Sequence, residues 1–200
     1  MLVRAYRLAG AALILSALVY IVWQRSSAFS FANFFSYFTV LSNLVALVVL
    51  AVGAYRVGGG GSLASERWEM LRGAAVLCMG ITGVVYALLL ADVDVSTPGF
   101  SNAVLHKVMP LVVVLDWLIK PPRVPLAFRR ALLWLAFPLA YLPYTLVRGP
   151  IVDWYPYPFL DPDEHGYAHV ALNCAGTAVG FVAATWLITW SGNRLGRAAR

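Results

Sequence analysis

The stretch Phe34-Phe-Ser-Tyr-Phe-Thr-Val-Leu-Ser-Asn-Leu44 decides how the rest of the chain is interpreted. It opens an apolar run that continues to Ala54, which is long enough for a helix across the hydrocarbon core of a bilayer. A helix through this stretch would place Ser36, Thr39 and Asn43 on one face, because they are separated by three and four residues. Lipid offers no hydrogen-bond partner, so this face must meet other helices or a water-filled cavity.

The whole chain has the composition of a membrane protein. Of its 200 residues, 61% are hydrophobic and only 12% are charged, about half the charged fraction of a typical soluble domain. We therefore predict an all-α polytopic membrane protein, with residues 1–200 forming a single transmembrane domain of six helices. The predicted spans are residues 5–23, 34–54, 71–91, 103–119, 131–147 and 168–190.

The distribution of charge predicts the orientation of these spans. Most basic residues fall on the side of the termini, namely Arg4, Arg7, Arg56, Arg67, Arg72, Lys120, Arg123, Arg129, Arg130, Arg194, Arg197 and Arg200. Most acidic residues fall on the opposite side, namely Asp92, Asp94, Asp153, Asp161, Asp163 and Glu164. By the positive-inside rule both termini are cytoplasmic. The net charge of +6 is thereby explained without a nucleic-acid partner.

With this orientation, the polar side chains inside several spans converge on the outer half of the bilayer, where we expect one polar cavity. A neutral imidazole can take a proton from a hydroxyl, so Thr39 and His106 are a candidate nucleophile and its base. The candidate substrate-binding residues are Ser36, Asn43, Tyr86, Tyr144, His169 and Asn173. Asn43, Tyr144 and Asn173 are also candidate donors to an oxyanion.

Other interpretations of these residues remain open. Thr39 could bond back to its own helix, and His106 could bond only to a backbone carbonyl. His169 could orient His106, contact a substrate or cap the cavity, and the two histidines together could ligate haem. Asp116 could be functional as an intramembrane carboxylate, but pairing with Lys120 or another base at the cytoplasmic end is the favoured interpretation.

The segment 148–167 is the longest predicted loop and is rich in aromatic residues and proline. Trp154, Tyr155 and Tyr157 suit an interfacial aromatic belt, and the segment could fold over the outer mouth of the cavity as a lid. Its acidic residues could bind a cation, but Pro162 disrupts the spacing of a calcium loop. We expect no metal and no cofactor.

Three of these stretches together resemble the androgen-induced-protein family of small six-span membrane hydrolases and similar bacterial six-span membrane proteins. They are Phe38-Thr39 on the second span, His106 followed by Pro110 on the fourth, and Tyr157-Pro-Phe-Leu-Asp161 before the sixth. The resemblance implies hydrolysis of fatty acid esters of hydroxy fatty acids. It also implies that Thr39 is the nucleophile and His106 the base.

From the residues and the resemblance we expect a membrane-embedded hydrolase of lipid esters. Its partners would be a fatty-acyl ester and the lipid bilayer, and its location would be a bacterial cytoplasmic membrane with the site toward the outer leaflet. The alternative is a non-enzymatic transporter or lipid-binding protein that holds a ligand in the same polar pocket.

Overall fold

The computed structural model describes residues 1–57, 65–91 and 97–198, and within these ranges it contains helices and no strands. Six helices are long and apolar enough to cross a membrane: α1 (Leu2–Trp23), α2 (Phe38–Tyr55), α3 (Glu66–Leu90), α4 (Gly99–Ile119), α5 (Phe128–Val152) and α6 (Gly166–Ala198). The predicted all-α polytopic fold with six spans is therefore confirmed. Asp92 and Asp94 lie outside the described residues.

The second span begins later than predicted, at Phe38 instead of residue 34. A separate one-turn helix, Phe31–Phe34, precedes it and is followed by a turn. The Ser36 hydroxyl donates to the carbonyl of Ala32 at 2.7 Å, a local bond that competes with continuation of the helix. Ser36 therefore lies in the turn and not on the helical face predicted for it, and Thr39 lies in the first turn of α2.

Two π-helical turns face each other, one at the end of α3 and the other in the first half of α4. One is Tyr86–Leu90, and the other, Val104–Val108, ends two residues before Pro110. Proline has no N–H, so Pro110 cannot donate to the carbonyl of His106 as a regular helix requires. The helix widens at this point, and π-helical widening of this kind is frequent at functional sites.

Gly83 allows α3 to approach α4 at the widened turn. A Cβ atom at Gly83 would lie only 2.9 Å from the Cβ of Pro110 and 3.7 Å from the carbonyl oxygen of His106. Any side chain at this position would push the two helices apart. The absence of a side chain thus sets how closely His106 is held against α3.

Buried charged side chains join three of the helices at one end of the bundle. Arg7 donates to the two carboxylate oxygens of Asp116 at 2.6 and 3.0 Å. Arg72 donates to Asp116 at 3.1 Å and to Glu69 at 2.7 Å. The predicted pairing of Asp116 with a base at this end is confirmed, although the partners are Arg7 and Arg72 and not Lys120.

The helix α1 begins, and the described part of α6 ends, at this charged end, which we call the terminal end. The side chain of Asn193, near the end of α6, accepts from the N–H of Leu126 and donates to its carbonyl, each at 2.8 Å. Leu126 lies in the connection that follows α4, close to the residues that bind Arg72. The assignment of this end to the cytoplasm remains a prediction from charge.

The helices pack unevenly around the opposite end, which we call the site end. The tightest packing joins α1 to α2 and α3 to both α2 and α4. The closest packing between α5 and α6 is at the first turns of α5, Phe128–Leu135. Toward the site end these two helices therefore leave space between them.

We expect loss of the buried ion pairs of Asp116 to lower stability much more than loss of the exposed pair between Arg130 and Glu66. Asp116→Leu leaves Arg7 and Arg72 buried without their shared carboxylate, and we expect it to lower the free energy of unfolding by about 3–5 kcal/mol. Glu66→Ala breaks the exposed Arg130–Glu66 pair, for which we expect less than about 1 kcal/mol. Denaturation of the purified protein in detergent measures both, and equal losses would contradict the assigned role of Asp116.

Candidate active site

The structure brings Thr39 and His106 together, as the sequence predicts. The Thr39 Oγ1 lies 3.1 Å from the His106 Nε2, and the His106 Nδ1 lies 3.3 Å from the carbonyl oxygen of Asn102. A carbonyl only accepts, so the proton of a neutral His106 ring belongs on Nδ1. The Nε2 atom is then free to accept the Thr39 hydroxyl proton. This is the arrangement that a hydroxyl nucleophile and its general base require.

Two further side chains hold the imidazole in place. The rings of Tyr86 and His106 stack with centroids 4.6 Å apart and an interplanar angle of 26°. The Asn102 amide donates to the Tyr86 hydroxyl at 2.9 Å, so Asn102 contacts the ring of His106 through its carbonyl and supports Tyr86 through its side chain. Tyr86, a predicted substrate-binding residue, is placed here as a support for His106.

Asn43 ties α2 to α4 through the backbone of the site. Its Nδ2 donates to the carbonyl oxygen of Thr39 at 2.9 Å and to that of Leu105 at 3.2 Å. Leu105 precedes His106, so this one amide connects the segments that carry both candidate catalytic residues. Its hydrogens are engaged by these two carbonyls, which leaves none for the oxyanion role that the sequence suggests.

Tyr157 is the site residue that the sequence analysis did not assign. Its hydroxyl oxygen accepts from the Thr39 N–H at 3.2 Å and lies 3.4 Å from the Thr39 Oγ1. It is buried, so its predicted place in an interfacial aromatic belt is wrong. The available signal was indirect: Tyr157 begins the stretch Tyr157-Pro-Phe-Leu-Asp161, one of the three on which the family resemblance rests.

An apolar cavity of about 200 Å³ reaches Thr39 from between α2, α3, α5 and α6. Its wall includes Phe38, Ile81, Leu135, Leu139, Phe181 and Val182. The expected polar cavity is therefore replaced by a largely apolar one, with the Thr39 hydroxyl at its edge. The wall is open toward the outside of the bundle, since Leu139 is 65% and Val182 45% exposed.

The loop between α5 and α6 closes the site end of this cavity. Its residues Tyr157, Phe159 and Leu160 contribute to the cavity wall. The loop is shorter than the predicted segment 148–167, because α5 continues to Val152 and helix resumes at Pro162. The predicted cover over the cavity is thus present as a short loop.

The remaining predicted site residues lie away from the cavity wall that the described residues form. The Ser36 hydroxyl and the Tyr144 hydroxyl are 2.8 Å apart and bond each other. Asn173 donates to the carbonyl of Phe159 at 3.4 Å, which fastens the loop to α6. His169 is exposed on α6. Ser36, Tyr144 and Asn173 therefore hold the surroundings of the site together and do not line the cavity.

The geometry of His106 does not favour haem ligation. Its two ring nitrogens contact Thr39 and Asn102, and Tyr86 covers a face of the ring. An axial ligand needs a ring nitrogen directed at iron. Ligation by His106 would therefore require the Thr39 contact to break.

Comparisons of the chain with protein-family models, with curated proteins and with solved structures find no match. The class of the protein is therefore given by its fold, a polytopic bundle of six apolar helices. The site geometry and the resemblance of three short motifs are what support a function.

Substitution of Asn43 and of its neighbour Ser42 tests whether Asn43 holds α2 and α4 together. Asn43→Leu leaves the carbonyl of Leu105 without its donor, and we expect a loss of about 1–3 kcal/mol in the free energy of unfolding. Ser42 is equally buried, but its hydroxyl meets no partner among the described residues. Ser42→Ala should therefore leave stability unchanged or raise it. Detergent unfolding midpoints compare the two variants, and an unaltered midpoint in Asn43→Leu would contradict the role.

Proposed function

We propose that this protein is a membrane-embedded hydrolase of lipid esters, with Thr39 as the nucleophile and His106 as its base. The observation that carries the proposal is the 3.1 Å contact between the Thr39 Oγ1 and the His106 Nε2 at the edge of an apolar cavity. A reactive hydroxyl beside a space for hydrocarbon suits an ester with a long acyl chain.

The reaction proceeds in two steps. In the first, the Thr39 Oγ1 attacks the ester carbonyl carbon while the His106 Nε2 takes the hydroxyl proton. The tetrahedral intermediate expels the alcohol, which receives that proton from His106, and an acyl-threonine remains. In the second step, His106 takes a proton from water, and the resulting attack releases the carboxylic acid and restores Thr39.

The shape and lining of the cavity support the proposed substrate class. Its apolar wall is open between α5 and α6, where Leu139 and Val182 face outward, so an acyl chain can enter sideways from the bilayer. The motif resemblance favours fatty acid esters of hydroxy fatty acids or similar acyl esters. The charge asymmetry supports a site toward the outer leaflet, and the resemblance to bacterial six-span membrane proteins favours a bacterial cytoplasmic membrane.

Replacement of the nucleophile tests the proposal most directly. We expect Thr39→Ala and His106→Ala each to lower kcat for fatty-acyl esters by at least about 10³-fold, because each removes one member of the reacting pair. Both should also abolish labelling by a fluorophosphonate probe. Thr39→Ser keeps the hydroxyl and should retain part of both signals.

The matched control is Thr185→Ala. The Thr185 hydroxyl is buried and bonds back to the carbonyl of Phe181 at 2.8 Å, away from the reacting pair. It should leave hydrolysis and labelling unchanged. Full activity in Thr39→Ala would refute the proposed nucleophile.

The cavity predicts a dependence on acyl-chain length. Ala178 lies on α6 in the cavity wall, so Ala178→Trp should fill the space needed by a long chain. We expect at least a tenfold lower kcat/KM for long-chain esters relative to acetate esters, roughly the discrimination available to an apolar pocket. Ala175 is exposed on the same helix, and Ala175→Trp should not alter the ratio. Equal ratios in the two variants would exclude this cavity as the acyl site.

A lipid-binding protein or transporter is the second candidate. The apolar wall of the cavity supports it, since such a space could hold a lipid chain without any reaction. A lipid that binds to the wild type with no ester hydrolysis and no Thr39 labelling would favour this function. Ligand-dependent uptake into proteoliposomes would then separate transport from binding.

A further inference from the structure

We propose that the phenol of Tyr157 is the hydrogen-bond donor that stabilises the oxyanion formed when Thr39 attacks. The inference rests on the proposed hydrolase function and adds a catalytic residue to it. It assigns a second role to the loop between α5 and α6, which would close the cavity and also supply a group to the reaction.

The hydrogen bonds around Thr39 determine where the Tyr157 proton points. The Thr39 N–H is donated to the Tyr157 oxygen at 3.2 Å, and the Thr39 hydroxyl proton goes to His106. The Tyr157 oxygen therefore already accepts one bond, and its own proton is left to donate, either to the Thr39 Oγ1 or to the neighbouring Tyr141 hydroxyl oxygen. At 3.4 Å the Thr39 Oγ1 is a long, weak partner for that proton.

Attack by Thr39 would provide a better acceptor. The new bond joins the Thr39 Oγ1 to the carbonyl carbon, and the electron pair of the carbonyl π bond moves onto its oxygen. That oxygen is bonded to the same carbon as the Thr39 Oγ1, so it lies in the region that the Tyr157 hydroxyl already faces. Tyr157 donates a hydrogen bond and keeps its proton, and the proton transfers remain those of Thr39, His106 and the leaving alcohol.

Tyr157 is held rigidly enough for this role. Its ring stacks on Phe159 with centroids 5.3 Å apart and meets the edge of Tyr37 at 5.8 Å. The following Pro158 favours the extended backbone seen at Tyr157. The bond from Asn173 to Phe159 anchors the same loop to α6. A donor fixed before the reaction stabilises developing charge without having to reorganise.

Burial also keeps the group in its donating form. Burial raises the pKa of the Tyr157 phenol above its ordinary value, because the charged phenolate is poorly solvated in the protein. The candidate donors suggested by the sequence are otherwise engaged: Asn43 binds two carbonyls, Asn173 binds the carbonyl of Phe159, and the Tyr144 hydroxyl bonds to the Ser36 hydroxyl. Tyr157 is the donor that the described residues bring to Thr39.

Tyr157→Phe removes the hydroxyl and keeps the ring, so it tests the proposal directly. We expect kcat for a fatty-acyl ester to fall by about 10²–10³-fold with little change in KM, the loss typical of a missing oxyanion donor. A trifluoromethyl ketone with the same acyl chain forms an oxyanion adduct with the nucleophile. Its affinity should fall by a similar factor, whereas that of the matching unreactive alkyl ether should not change.

Tyr6→Phe is the matched control. The Tyr6 hydroxyl donates to the carbonyl of Val112 at 2.6 Å, so this variant also deletes a hydrogen bond of a partly buried tyrosine hydroxyl, but far from Thr39. Its unfolding midpoint should fall while kcat stays at the wild-type value. The comparison separates a loss of catalysis from a loss of stability.

The outcomes distinguish a failure of the role assigned to Tyr157 from a failure of the proposed hydrolase function. If Tyr157→Phe lowers only the unfolding midpoint and keeps kcat and trifluoromethyl ketone affinity, Tyr157 merely caps the first turn of α2 and the inference is overturned. If the wild type shows no hydrolysis that depends on Thr39, the proposed function fails and the inference fails with it. Loss of kcat and adduct affinity with unchanged ether affinity supports both.

Discussion

Hydrocarbon offers no partner to a polar group, and the charged network at the terminal end is how this bundle meets that constraint. Arg7, Arg72, Glu69 and Asp116 are almost completely buried, which is tolerable because two positive charges meet two negative ones. The network fixes the register of α1, α3 and α4, and Arg7 also donates to the carbonyl of Gly53 on α2 at 3.0 Å. Because α2 carries Thr39 and α4 carries His106, their contact at the site end depends on it.

At the site end, the backbone groups also need hydrogen-bond partners that hydrocarbon cannot provide. Pro110 deprives one carbonyl of its helical donor, and the first turn of α2 leaves N–H groups without acceptors. Asn43 and Tyr157 supply a donor and an acceptor to backbone groups beside these irregularities. The groups that satisfy the backbone are therefore the ones that position Thr39 and His106, so the geometry of this site depends on the same hydrogen bonds that stabilise the fold.

The sequence predicts those features that follow from hydropathy and depth. Six apolar runs give six spans. Because successive spans alternate in direction, α2 and α4 run the same way, and Thr39 and His106, each near the start of its helix, lie at one level. The sequence does not predict features that are set by competing local hydrogen bonds or by the path of a loop. The Ser36 bond to Ala32 moves the start of α2 to Phe38, and Tyr157 becomes buried because its loop turns inward. The charge pattern indicates a basic partner for Asp116 but cannot choose Arg7 and Arg72 over Lys120, which is nearer in sequence.

The shape of the cavity constrains how the proposed reaction would occur. The loop carrying Tyr157 closes the site end, while the wall between α5 and α6 stays open where Leu139 and Val182 are exposed. A lipid ester would therefore approach from the bilayer, chain first, and only its carbonyl would reach the polar groups around Thr39. An apolar surround strengthens each hydrogen bond to a developing charge. A site of this kind needs few donors, and a single tyrosine hydroxyl placed by the loop can contribute much of the stabilisation.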